Sequence, residues 1–241
     1  KQMYSLLTWY YSGLVNKDSP LVMAELASAE KQFAQKNYKL LRRQAWLLQH
    51  VYTAERNNDA EKRAVIMLKA AKEAEQKGWP LTQAECWHFT GYYYYMQGNF
   101  VKAFEYMHKA QSGFDMFMTG HENNYLHYYA NILGNCYYHF GEYRQAIKYL
   151  KKTIQLPPWW KNIISAPAIF NNLALSHQQL KQYDSAAIWF KKSYESAAAL
   201  KDSFYMALVQ GNLGSSFYLQ QHYDKALPLL EADYNGSMRG G

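Results

Sequence analysis

The sequence predicts an all-α fold, a solenoid of about six helix-turn-helix repeats, and three observations carry that expectation. A short residue pattern returns about every 40 residues along the 241-residue chain. Within a copy its members fall at i, i+3, i+4 and i+7, the spacing of one helix face. Short alternating strands and hairpin dipeptides are missing.

The small or central residue of each first helix marks the register. Ser12, Tyr52, Gly91, Gly134, Ala174 and Gly214 follow one another at steps of 40, 39, 43, 40 and 40. Each is answered one helix later by an alanine: Ala24, Ala64, Ala103, Ala146, Ala186 and Ala226. The repeats are expected over about 5–39, 45–80, 84–120, 127–160, 167–201 and 207–235, one solenoid over 1–235, with a flexible tail at 236–241. In the third repeat Trp87, Thr90, Gly91 and Tyr94 share a face, and Ala103, Met107 and Ala110 share the facing one. Gly91 and Ala103 let two backbones approach while Trp87, Tyr94 and Met107 fill the surrounding space. Proline falls mostly between helices or in first turns, at Pro20, Pro80, Pro157, Pro158 and Pro167. Pro228 lies inside the last second helix, where a kink or a late helix start is expected.

The runs Trp87-x-x-Thr90-Gly91-x-x-Tyr94-x-x-x-Gly98-x-Phe100-x-x-Ala103 and Leu133-Gly134-x-x-Tyr137-x-x-x-Gly141-x-Tyr143-x-x-Ala146 resemble the tetratricopeptide repeat. That resemblance implies a right-handed superhelix and a binding scaffold. The family period is about 34 residues, so helices lengthened to roughly 16 to 18 residues would absorb most of the surplus. The long repeat is similar to that of peptide-sensing bacterial regulators and kinesin light chains.

Composition allows a large core, at 49% apolar residues, with no apolar run of membrane-spanning length. A chain that opens at Lys1 and closes on a Gly-rich tail without a polar cap is expected to be a piece of a longer protein. Cys86 and Cys136 are expected as buried thiols. The net charge of +7 gathers between Glu142 and Lys192, where Arg144, Lys148, Lys151, Lys152, Lys161, Lys181, Lys191 and Lys192 face only Glu142 and Asp184. A solvated helix face explains such a run, and an acidic partner on Arg144, Lys148, Lys151 and Lys152 is the functional alternative. No DNA-reading motif accompanies the charge, so no nucleic-acid contact is expected of this chain.

Reactive constellations are missing. Eight histidines form no metal-ligand cluster, Gly134 and Gly141 precede no Lys-Ser or Lys-Thr, and no nucleophile elbow occurs. No enzyme, metal or cofactor is expected.

The resemblance places a ligand on the concave face lined by first helices. The matching positions are Glu85, His88, Tyr92 and Tyr95 in the third repeat, and Tyr128, Asn131, Asn135 and Tyr138 in the fourth. The fifth offers Asn171, Asn172, Leu175 and Gln178, and the sixth Gly211, Asn212, Ser215 and Tyr218. Amides carry both donor and acceptor and suit an extended backbone, and Asn at this register also has structural uses. Where co-chaperone members grip a carboxylate, this chain has Asn131, Asn171, Tyr128 and Leu208, so a chaperone tail is not expected. Trp159 and Trp160 either fold over the core or form a contact patch. The expected function is a non-enzymatic peptide- or protein-binding module, the sensory or adaptor part of a bacterial signalling or transcription-regulating protein. A structural assembly scaffold using the basic face or exposed loops is the alternative.

Overall fold

The computed structural model describes residues 19–117, 126–155 and 166–239. Ser12, the first helix of the first repeat, Pro157, Pro158, Trp159, Trp160 and Lys161 lie outside the described residues. Among the described residues there are eleven α-helices and no strands. They are α1 (Ser19–Gln35), α2 (Lys39–Glu55), α3 (Ala60–Gln76), α4 (Pro80–Met96), α5 (Phe100–Phe117), α6 (Leu126–His139), α7 (Tyr143–Ile154), α8 (Ala166–Gln179), α9 (Tyr183–Ala199), α10 (Ser203–Leu219) and α11 (Tyr223–Arg239). The chain is an all-α helical-repeat solenoid. Two compact units divide it, Lys1–Tyr125 and Leu126–Gly241.

In the first unit α2 pairs with α3 and α4 with α5, α1 packs on α2, and the first helices α2 and α4 touch. In the second, the hairpins are α6–α7, α8–α9 and α10–α11, and the first helices form a row, α6 on α8 and α8 on α10. Each second helix also packs on the next first helix, as α7 does on α8 and α9 on α10. A side chain on α8 therefore has protein on several sides, which is why Ile169, Leu173 and Ala174 are fully buried.

Seven of the described helix ends share one turn chemistry. After α3, α4 and α6 the residue in the left-handed region is Gly78, Gly98 or Gly141, and elsewhere Asn37, Lys181, Lys201 and Gln221 adopt it. In each case the next N–H reaches back to a carbonyl of the last turn, as Asn99 does to Tyr94 and Glu142 to Tyr137, both at 2.9 Å. This closes otherwise unpaired carbonyls and reverses the chain at these seven turns. α3 starts on Asp59, whose Oδ1 accepts the Glu61 and Lys62 N–H groups at 3.0 and 3.2 Å.

Small residues set how closely paired helices approach. A Cβ on Gly91 would stand 3.0 Å from Met107 Cε and 3.1 Å from the Ala103 carbonyl oxygen. One on Gly214 would stand 3.2 Å from the Ala226 carbonyl oxygen, and one on Gly134 2.7 Å from Leu150 Cγ. The contact expected between Gly91 and Ala103 is thus present and recurs in the last hairpin. A second contact, which the repeat pattern did not reveal, lies nearer the open end of the hairpin. There a Cβ on Gly113 would be 2.6 Å from Ala84 Cβ, and one on Gly236 would collide with Ala207 Cβ. Around these contacts Tyr94 stacks on Tyr106 at 5.7 Å, and Tyr137 on Tyr149 at 5.3 Å.

Two expectations about the C-terminal end are corrected. Of the kink or late start expected at Pro228, the late start is excluded, because α11 begins at Tyr223 and contains Pro228. The proline removes only one N–H donor near the helix start, a loss the packing of α11 on α10 outweighs. The same helix runs to Arg239, past the 236 at which a tail was expected, because Gly236 is held against Ala207. The expected helix length of roughly 16 to 18 residues is met by α1 to α5 and α9 to α11, at 17 or 18 residues, and missed by α6, α7 and α8, at 14, 12 and 14.

Gly113→Ala should lower unfolding free energy by about 1–3 kcal/mol, since Ala84 Cβ is fixed to its own helix and cannot yield without moving the backbone. Urea titration followed by circular dichroism measures this, and an unchanged midpoint would mean that the α4–α5 contact is looser than the structure shows.

Candidate ligand-binding face

In the second unit the row α6, α8, α10 presents an array of amides. Asn172 Nδ2 donates to Asn135 Oδ1 at 2.9 Å, and Asn212 Nδ2 donates to Asn171 Oδ1 at 2.9 Å. One amide bridge thus joins each first helix to the next. The pairing follows from the register: Asn172 and Asn212 hold the same place in successive repeats, and each reaches toward the preceding first helix. Asn135 and Asn171, the acceptors, are buried, at 6% and 4% exposure. Asn131, Tyr138, Asn172, Leu175 and Asn212 are half-buried, and Ser215 and Tyr218 are exposed. The structure therefore brings these sequence-derived residues onto neighbouring helices, with part of their hydrogen-bonding capacity already spent on each other. The Tyr128 side chain lies outside the described residues.

Gln178 and its neighbour His177 are both buried. The Gln178 Oε1 and His177 Nε2 atoms find no hydrogen-bond donor among the described residues. His177 Nδ1 lies 2.7 Å from Gln182 Oε1, so that nitrogen carries the proton and Nε2 is left as a bare acceptor. Burial holds the His177 imidazole below its ordinary value; the Gln182 hydrogen bond opposes this and the Lys151 charge reinforces it. Sequence reasoning missed His177. Its signal was the exception in the repeat, since the corresponding places in the two preceding hairpins hold Tyr94 and Tyr137.

The first unit behaves differently. Glu85 and His88 were expected on an open face, yet they are 1% and 4% exposed. The physical reason is the close packing of α2 on α4, which puts Gln44 Nε2 at 2.7 Å from Glu85 Oε1. Tyr92 remains exposed and Tyr95 half-buried, while Tyr94 is core as expected. Tyr93, given no role by the sequence, is also buried and donates its hydroxyl to Glu55 Oε1 at 2.8 Å.

On α7, Arg144, Lys148 and Lys151 are exposed, and Lys152 lies over the Tyr149 ring at 5.2 Å. None of the four forms an ion pair among the described residues. Cys86 and Cys136 are buried and unbridged. Burial pushes the Cys136 thiol up to about 12, and burial with the Glu85 and Glu73 charges raises Cys86 further, so neither is a thiolate near neutrality. Among the described residues no group of three His, Cys, Asp or Glu could hold a metal ion, and no helix is long and apolar enough to cross a membrane.

Residues 132–157 and 165–232 match the tetratricopeptide repeat. No curated protein sequence matches the chain. Among solved structures it is similar to the apo form of RapI, at 14% identity and a TM-score of 0.65, covering 100% of this chain and 67% of that one. It is also similar to a Rap protein complexed with competence and sporulation factor, at 14% identity and 0.62, covering 98% and 66%. A Podosopora anserina putative kinesin light chain with nearly identical repeats gives 15% identity and 0.62, covering 80% and 95%. At these identities the likeness is one of fold. The chain is an all-α helical-repeat protein, and its residues 132–157 and 165–232 carry the tetratricopeptide repeat. Proteins of this kind are in general non-catalytic scaffolds for protein–protein interaction.

A double-mutant cycle over Asn135→Ala and Asn172→Ala should return a coupling of about 0.5–1.5 kcal/mol, measured by chemical denaturation; additive losses would mean the bridge is not formed in solution. For His177 burial holds the folded pKa below the ordinary imidazole value of 6.5. The unfolded chain then binds the proton more readily, so stability is complete above that value and declines as pH falls through the folded pKa. Imidazole NMR titration should place His177 below 6.5, and His177→Gln should shrink the loss of stability between about pH 7 and about pH 5.

Proposed function

We propose that the α6–α8–α10 face of the second unit binds an extended peptide or protein segment without catalysing a reaction, and that the chain is the sensory or adaptor part of a bacterial signalling or transcription-regulating protein. The observation that carries this reading is the pair of amide bridges, Asn172 to Asn135 and Asn212 to Asn171. They hold uncharged polar groups at the spacing of successive helices, and they leave the half-buried Asn172 and Asn212 carbonyl oxygens without a protein donor among the described residues. Those oxygens can accept N–H groups from an extended backbone whatever its side chains. Leu175, Tyr138 and Tyr218 beside them supply apolar contact with little rotamer entropy to lose. Fold likeness to a Rap protein complexed with competence and sporulation factor supports a ligand-binding role. Binding there would shift the packing of α8 on α10 and so reach whatever output the chain controls.

The test is selection of binders from a displayed random-peptide library on the 241-residue chain, followed by titration of the winning peptides. Asn172→Leu and Asn212→Leu should each weaken them by about tenfold or more. Binders indifferent to both substitutions, yet lost on charge reversal of Lys148, Lys151 and Lys152, would overturn the reading in favour of an assembly scaffold that uses α7.

A further inference from the structure

The turn from α1 into α2 and the start of α4 enclose a cleft of about 230 Å³, walled by Phe33, Asn37, Lys39, Arg42, Arg43 and Trp79. Its location follows from the long repeat. α2 begins at Lys39 and α4 at Pro80, ahead of 45 and 84 where the repeat pattern starts, so the surplus residues of each repeat build these walls.

Trp79 is rigidly placed. Its N–H donates to the Ala74 carbonyl and its own carbonyl accepts from Gln83 N–H, both at 2.9 Å, and its ring meets Trp46 edge-on at 5.6 Å. Three cations surround that indole: Arg42 at 5.5 Å, Arg43 at 5.6 Å and Lys77 at 5.8 Å. The opposite wall is set by the turn at Asn37, where Tyr38 N–H donates to the Phe33 carbonyl at 2.8 Å.

The charges do not balance. Glu30 lies 3.7 Å from Arg42, and Glu73 lies 3.7 Å from Lys77. Lys39 and Arg43 have no ion pair among the described residues. Arg43, pinned against the Trp79 face, has already lost rotamer freedom, so an arriving anion meets a donor whose ordering cost is reduced. Flanking Lys39 along the chain, Tyr38 and Leu40 are 46% and 64% exposed, apolar surface that a small inorganic anion would leave uncovered.

We propose that this cleft docks an acidic peptide segment of a partner protein, with carboxylates on Arg43 and Lys39 and an adjoining apolar side chain on Tyr38 and Leu40. Arg43 offers a planar fork that can take a carboxylate through two hydrogen bonds, and Lys39 a point charge. The site belongs to the first unit and stands independently of the α6–α8–α10 reading.

The probe is a fluorescein-labelled Glu-Glu-Leu-Glu-Glu-Leu peptide, titrated by fluorescence polarisation into the full chain, with Gln-Gln-Leu-Gln-Gln-Leu as its uncharged counterpart. Saturable binding of the acidic peptide alone is expected, weakening as salt rises. Lys39→Glu with Arg43→Glu should reduce affinity by about tenfold or more, and the milder Arg43→Gln by less, with circular dichroism showing the fold retained. Lys148→Glu with Lys151→Glu on α7 should leave it unchanged. The proposal is overturned by no saturable binding, by equal binding of the two peptides, or by binding that survives the Lys39/Arg43 reversal. Loss on the α7 reversal, or displacement by inorganic phosphate as effective as unlabelled peptide, overturns it too. Any of these outcomes leaves the amide face untouched.

Discussion

The closest approach between the two helices of a hairpin is the constraint from which the other features follow. At Gly91, Gly134 and Gly214 the space for a side chain is already taken by the partner helix, by its backbone carbonyl at Ala103 and Ala226 and by Leu150 on α7. Close packing without voids leaves each hairpin one way to sit. Because the same contact recurs, first helices fall beside first helices, and residues one repeat apart along the chain meet in space. Asn172 reaches Asn135, and Asn212 reaches Asn171, for this reason. A looser hairpin would scatter them.

Polar groups on the second unit divide into two kinds. The amide row is uncharged and partly self-satisfied, so its desolvation costs little when an uncharged backbone covers it. The α7 cations are solvated, and only Lys152 is drawn onto an aromatic ring. Those chemistries select different partners, one by hydrogen-bond geometry and the other by charge. His177 stands between them: its Nδ1 is tied to Gln182, its Nε2 is buried, and its proton affinity is lowered by burial and by Lys151. The first unit has a third chemistry, cations arranged around Trp79, which neither the amides nor α7 resemble.

Much of the fold was legible in the residues. Helix faces depend on spacing along a single chain, and the paired small residues Gly91 with Ala103 and Gly214 with Ala226 mark where two such faces meet. The interior fate of Tyr94 followed from the same helical register, and that of Cys86 and Cys136 from the usual burial of free thiols. The candidate face was legible in part. Asn172, Asn212, Ser215 and Tyr218 keep exposed or half-exposed groups. Glu85 and His88 do not, because whether a face position sees solvent depends on how near the neighbouring first helix comes. α2 comes near enough for Gln44 to bond Glu85.

The order of helices, the class of fold and the repeat period were determined by the sequence alone, since each rests on interactions a few residues apart. Only the tertiary structure decided which amides pair, which acids are buried, and that Arg42, Arg43 and Lys77 gather around Trp79 beside a cleft that Lys39 also lines. Those outcomes join residues tens of positions apart, and the turn geometry and the approach distance that bring them together leave no local pattern to read.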